Sequence, residues 1–260
     1  MPESPMPPDR FATTRQPAPR GAFSDPPTPA MPLTGLTLLA VEDSRFACDA
    51  LRLMAQRSGA RLRRAETLEA AGRHLSVYRP DLVIVDPGLP DGCGLDLVAR
   101  IAACGSAAPP VLVISGDPGR AAAARRAGAA AFLAKPVTGL GAFRAAVVGC
   151  LPERMWLLPE GGGTRVAEGD APVAADMLAL HDDLAQAARR LSRPMPEAER
   201  RYVTGFVAGL ARASGDAGLA AAAAGAAAGA VAPAPQAMDR LARAIGHRLR
   251  ARSAATLLAR

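Results

Sequence analysis

Between residues 36 and 150, short apolar runs alternate with stretches whose apolar residues recur every three or four positions. Leu36 to Val41 is a short apolar run ending at Glu42 and Asp43. Residues 44–58 then show helical spacing, with Ser44 as N-cap and Phe46, Ala50, Leu53 and Met54 on one face. Residues 60–65 read as an edge strand, and 67–77 as a helix capped by Thr67. Leu82, Val83, Ile84 and Val85 make a buried strand that stops at Asp86. A helix over 94–104 follows, then the run Val111 to Ile114 stopping at Ser115, and a helix over 118–128. A fifth strand, Ala129 to Ala134, stops at Lys135-Pro136, and a helix over 139–150 closes the pattern. Strands this short and this apolar must be covered on both faces, and parallel strands need crossover helices. The pattern therefore predicts an α/β domain: a five-stranded, doubly wound parallel sheet.

The flanks differ. Residues 1–33 hold ten of the 24 prolines and no apolar periodicity, so 1–35 is expected to be a disordered, Pro-rich arm. Residues 151–172 carry Pro152, Pro159, Gly161 to Gly163 and Gly169, and read as a connector. Its Trp156, the only tryptophan, lies beside Leu157 and Leu158 and is expected to pack near the last helix of the first domain and the helices that follow. Residues 173–260 are expected to be an α-helical region. Its stripes are Met177, Leu180, Leu184, Ala188 and Leu191; then Tyr202, Val203, Phe206, Val207 and Leu210; then Met238, Leu241, Ile245 and Leu249. The Ala/Gly stretch 217–232 fits either a helix or a tether.

Aromatic residues make up only 3% of the chain, so the core must rest on Leu, Val, Ile and Ala. Cys48, Cys93, Cys104 and Cys150 form no C-x-x-C pair and no zinc-like spacing with the three histidines. A reduced, cytoplasmic setting fits them best. No long uninterrupted apolar run predicts a membrane span, and the N-terminus has no signal-peptide pattern. The net charge of +7 raises the question of an anionic partner, but the arginine excess is spread over several segments.

The chemistry is at the strand ends. In a parallel sheet the functional groups gather at the carboxyl edge. That edge would collect Glu42 and Asp43, Asp86, Ser115 and Lys135. Crowded carboxylates invite a divalent cation, and oxygen-only donors favour Mg²⁺. A lysine and a hydroxyl beside them suit a transferred phosphoryl group, where positioning and charge neutralisation do most of the work. Of 31 basic residues, Lys135 is the only lysine. A compact ammonium fits between phosphoryl and carboxylate where a planar guanidinium would not.

This constellation resembles the receiver (CheY-like) domain family of two-component response regulators. The segment Asp86-Pro87-Gly88-Leu89-Pro90-Asp91-Gly92-Cys93-Gly94-Leu95, the acidic pair Glu42-Asp43 and the pair Lys135-Pro136 match its motifs in order and spacing. The resemblance spans residues 36–150 and implies a flavodoxin-like receiver fold. It implies that Asp86 is the phospho-acceptor, and that Asp43, Asp86 and the backbone carbonyl of Gly88 bind Mg²⁺, with Glu42 acting through a metal-bound water. Ser115 would offer its hydroxyl to the phosphoryl group, and Phe132 would be the aromatic switch. The phosphodonor would be a histidine kinase or a histidine phosphotransfer protein. Such a chain is no enzyme beyond its own phosphorylation and dephosphorylation. Pro87 and Gly88 depart from the common family pattern, which leaves phosphate lifetime open.

The C-terminal half carries no output motif. It is expected to signal as an interaction or dimerisation region, a homodimer being one candidate. The alternatives are DNA binding through the last helix, with Arg240, Arg243, Arg248, Arg250 and Arg252, and a degenerate phosphotransfer-like module around His247-Arg248-Leu249-Arg250. Neither nucleic acid nor a membrane is the expected partner. Asp182 and Asp183 beside His181 argue against a phosphohistidine there.

Overall fold

In a computed structural model of the chain, residues 26–137, 139–157, 177–227 and 235–258 are described. They form two compact units. One runs to Asp43 and resumes at Leu51; the other joins Ser44–Ala50 to the helices of the C-terminal half.

The first unit is built on β1 (Thr37–Val41), the part of α1 (Arg45–Arg57) from Leu51 onward, β2 (Arg61–Ala65), α2 (Leu68–Val77) and β3 (Leu82–Val85). Then come a two-residue pair of strands, β4 (Gly88–Leu89) and β5 (Gly92–Cys93), and α3 (Gly94–Ala102). β6 (Val111–Ser115), α4 (Ala121–Arg126), β7 (Ala131–Ala134) and α5 (Leu140–Gly149) complete it. The five long strands make one parallel sheet in the order β2-β1-β3-β6-β7, so β2 and β7 are its edges. Leu39, Val41, Val83, Val85, Val111 and Val113 share one core with Ala71 and Leu75 of α2, Leu97, Val98 and Ile101 of α3 and Ala124 of α4. The alternate residues Leu38, Ala40, Ile84, Leu112 and Ile114 are buried too, as are Met54 of α1 and Phe143 and Val147 of α5. Both faces of the sheet are covered, which is why its central strands read as unbroken apolar runs. Ser44 caps α1 as expected, accepting the Ala47 N–H at 3.0 Å. Thr67 does the same for α2.

Three boundaries depart from expectation. The ordered chain begins ahead of Leu36: Leu33 is fully buried, and Arg154 donates to the carbonyls of Pro32 (2.9 Å) and Thr34 (3.0 Å). Arg144 likewise donates to the Ala30 carbonyl at 2.6 Å. Guanidinium forks satisfy backbone oxygens here, a role that composition does not announce. Residues 1–25 of the expected arm lie outside the described residues. The helix expected over 118–128 splits into a 3-10 turn (Pro118–Arg120) and the shorter α4, because Asp117 takes the Gly119 N–H at 2.9 Å and closes a tight turn first. The connector opens with a 3-10 helix, Pro152–Leu157. The remainder of the connector and the side chain of Trp156 lie outside the described residues.

The second unit contains α6 (Met177–Leu191), α7 (Glu197–Ala213), α8 (Ala217–Ala227) and α9 (Pro235–Leu258). α6 packs on α7 and α9, and α8 packs on the same two, so the four helices close a ring around one core. That core holds Leu180, Leu184, Val203, Val207, Leu210, Leu219, Leu241 and Ile245, together with Phe46. Met177 is exposed, since it opens α6 ahead of the first buried turn. Residues 217–227 of the Ala/Gly stretch are helix, as the high helix propensity of alanine allows; 228–232 lie outside the described residues. Among the described residues, no helix is long and apolar enough to cross a membrane.

Candidate functional site

The backbone sets the carboxyl edge. The Glu42 N–H reaches the Ala65 carbonyl at 2.9 Å, the Asp86 N–H reaches Val41 at 3.0 Å, and the Lys135 N–H reaches Ser115 at 2.8 Å. Each chemistry-bearing residue is thus fixed to a neighbouring strand by one bond just past the sheet. On that edge Lys135 bridges two carboxylates: its ammonium lies 2.5 Å from Glu42 Oε2 and donates to Asp86 Oδ2. The other oxygen of Asp86, Oδ1, accepts the Gly88 N–H at 2.7 Å. Glu42, Asp86 and Lys135, expected together from the sequence, are together.

Burial governs the charges. Glu42 is almost wholly removed from water, and this desolvation pushes its carboxyl well above the ordinary range, although Lys135 pulls the other way. Burial alone would depress the Lys135 ammonium. Glu42 and Asp86 outweigh it and hold that group above its ordinary value. Lys135 therefore stays charged.

Ser115 is buried, and its hydroxyl accepts the Asp117 N–H at 3.1 Å. Phe132 is half-buried on β7, in register with Val113 and packed against the sheet core. Asp43 is half-buried beside Glu42. Among the described residues, no three acidic, histidine or cysteine side chains converge as a ready cation cage. The donor chemistry nonetheless fits a hard cation. Asp43, Asp86 and the Gly88 carbonyl offer oxygen alone, and Mg²⁺ keeps several waters and needs only one or two carboxylates.

The loop after Asp86 is held on three sides. Gly88 pairs with Cys93 and Leu89 with Gly92 in a small antiparallel hairpin. The Pro87 carbonyl accepts the Gly94 N–H at 3.0 Å. Asp91 takes the N–H groups of Leu68 (2.9 Å) and Glu69 (3.1 Å) at the start of α2. Gly94 is required by close approach: a β-carbon there would lie 2.1 Å from the Asp86 carbonyl oxygen.

Two supporting residues escape sequence reasoning. Arg64 on β2 donates to the carbonyls of Glu42 (3.3 Å) and Asp43 (2.8 Å), fixing the acidic pair from behind. Asp91 fixes the loop. Both act on backbone atoms more than twenty positions away, so no local pattern marks them.

Residues 38–147 match the family model described as "Response regulator receiver domain". The KDP operon transcriptional regulatory protein KdpE of Escherichia coli (strain K12) is 36% identical over 110 residues, covering 42% of this chain and 48% of that protein. The virulence transcriptional regulatory protein PhoP of Salmonella typhimurium (strain 14028s) is 38% identical over 65 residues, covering 25% of this chain and 29% of that protein. The chain therefore spans about half the length of one of these relatives and under a third of the other. Among solved structures, the signal receiver domain of a signal transduction histidine kinase from Syntrophus aciditrophicus aligns with a TM-score of 0.41 and 25% identity, over 45% of this chain and 91% of that one.

Proposed function

Residues 38–147 are a response regulator receiver domain of a two-component system, and from that premise we propose that Asp86 is its phosphorylated residue. The observation that carries this reading is Lys135 joined to both Glu42 and Asp86 at the carboxyl edge of the sheet. A carboxylate oxygen of Asp86 attacks phosphorus. The bond from phosphorus to the donor nitrogen breaks, and the departing imidazole of a histidine kinase or phosphotransfer protein takes up a proton. Lys135 offsets the charge that gathers on the phosphoryl oxygens, and the Ser115 hydroxyl donates to one of them. Mg²⁺, held by Asp43, Asp86 and the Gly88 carbonyl with Glu42 behind a water, would supply further neutralisation. Phe132 answers the movement of Ser115. The chain works in the cytoplasm and catalyses nothing beyond its own phosphorylation and dephosphorylation.

The output on this reading is association through the helical unit. A second reading, DNA binding, draws on the names of the relatives, which are transcriptional regulators. On α9, Arg240, Arg243 and Arg250 are exposed, but Arg248 is committed to Asp216 at 2.7 Å; the side chain of Arg252 lies outside the described residues. His247 is exposed on the same helix. The helical unit is therefore read as a protein-interaction module.

The test is acyl-phosphate formation from a small phosphodonor with Mg²⁺, mapped by peptide mass. Label is expected on Asp86, and Lys135→Ala should slow its appearance by roughly 10²-fold, the scale for losing one preorganised charge. Labelling that persists at the wild-type level in Asp86→Ala would refute the assignment.

A further inference from the structure

β2 is an edge of the parallel sheet, and among the described residues it pairs with β1 alone. The Arg61 N–H reaches the Leu36 carbonyl at 2.8 Å, and the Ala65 carbonyl takes the Glu42 N–H at 2.9 Å. In a parallel ladder the backbone groups of alternate residues face the same neighbour. Arg61, Arg63 and Ala65 therefore turn theirs towards β1, while Leu62 and Arg64 each turn an N–H and a carbonyl outward. Among the described residues, nothing meets these outward groups.

The side chains alternate between the two faces of the sheet. Ala65 joins the core that α2 covers, and Arg61 and Arg63 stand on that same face, both exposed. Among the described residues, neither guanidinium has an ion pair. Arg64, on the opposite face, is engaged already: it pairs with Glu66 at 3.3 Å and holds the carbonyls of Glu42 and Asp43. The acid nearest in sequence is thus committed to Arg64, and the two exposed arginines face solvent beside open backbone groups.

An open edge can take up a strand, with main-chain hydrogen bonds giving affinity and alternate side chains giving selectivity. Alternate residues of a strand lie about 6.6 Å apart. Acids at positions i and i+2 of an incoming strand would therefore stand opposite Arg61 and Arg63, and opposite charges directly across a strand pair favour it. The residue between those acids falls opposite Leu62, which is half-buried and apolar, so an aliphatic side chain suits that place.

We propose that β2 is a docking edge for an extended acidic segment of a partner protein, with acids at alternate positions and an aliphatic residue between them. The edge lies wholly within the first unit and does not depend on phosphorylation of Asp86.

Fluorescence anisotropy of a labelled peptide, Thr-Glu-Val-Glu-Val-Glu-Thr, titrated with the full chain tests this. Saturable binding is expected, and the Leu62 and Arg64 amides should exchange more slowly with peptide present. The double substitution Arg61→Gln/Arg63→Gln removes only exposed side-chain charge. It should keep the wild-type melting temperature and weaken the peptide about tenfold, the scale of two opposite-charge cross-strand contacts. Two further peptides keep every charge but lose backbone donors, one N-methylated at the valines and the other at the glutamates. One of the two should bind at least about tenfold more weakly, as loss of main-chain pairing requires. No saturable binding up to about 1 mM peptide overturns the proposal. Unchanged affinity in the folded double variant does so too. Undiminished binding of both methylated peptides would reduce the contact to charge alone and overturn strand addition.

Discussion

Gly94 shows how little tolerance the site has at the level of one residue. It opens α3 against the Asp86 carbonyl, and the nearest obstacle to a side chain is backbone rather than a flexible tip. Gly94→Ala should therefore destabilise the first unit by about 1–3 kcal/mol, the range for overpacking a filled site. Urea unfolding measures this, and slower labelling of Asp86 should accompany it. A stability equal to wild type would mean that the loop relaxes freely. Asp86, Ser115 and Lys135 were legible in the sequence because each follows a continuous apolar run, and a parallel sheet aligns such run ends on one edge. Arg64 and Asp91 were not. Each bonds backbone atoms of a different element, and only the folded chain brings them there.

Among the elements, α8 depends most on its end. Its interior is nearly all alanine and glycine, so it has propensity but few large side chains to anchor it. Asp216 supplies the missing anchor twice. Oδ1 accepts the Leu219 N–H at 2.9 Å, capping the first turn, and both oxygens pair with Arg248 of α9 at 2.7 Å. The Arg248 hydrogen bonds chiefly hold the Asp216 carboxyl below its ordinary value. A carboxylate lowered in the folded state stabilises fully above its unfolded value, and loses that contribution as the pH falls through its folded value. Thermal melts should show Asp216→Asn less stable than wild type by about 1 kcal/mol at neutral pH, a typical cap loss. The gap should close on acidification below the ordinary carboxylate range. A gap independent of pH would assign Asp216 a purely steric role. The sequence left 217–232 open between helix and tether because an Ala/Gly run has no apolar stripe to give a period. The 3-10 turn at Pro118 was hidden for a related reason: alanines at 121–124 fit a longer helix equally well.

At the scale of the whole chain, the proposed function gives the chemistry to the first unit and the output to the helical one. The helical unit closes its own four-helix core, and we expect phosphorylation to act on its association. Size-exclusion chromatography with light scattering, with and without beryllofluoride and Mg²⁺, should show a shift from monomer to dimer. An unchanged mass across a wide concentration range would remove dimerisation as the output. The α/β half was legible almost element by element, since buried parallel strands leave an unmistakable apolar signature. The anchoring of Leu33 was not, because two arginines from α5 and the 3-10 turn after it hold that segment by its carbonyls.

The sheet's two edges also differ. β2 reads Arg-Leu-Arg-Arg-Ala, with Arg61 and Arg63 exposed, whereas β7 reads Ala-Phe-Leu-Ala and carries no charge. An uncovered edge strand can recruit another strand, and like charges facing each other across such a pair oppose it. Two copies meeting at β2 would bring arginine rows together. Like charge along β2 therefore disfavours strand addition by a second copy at that margin, and the uncharged β7 margin lacks this protection.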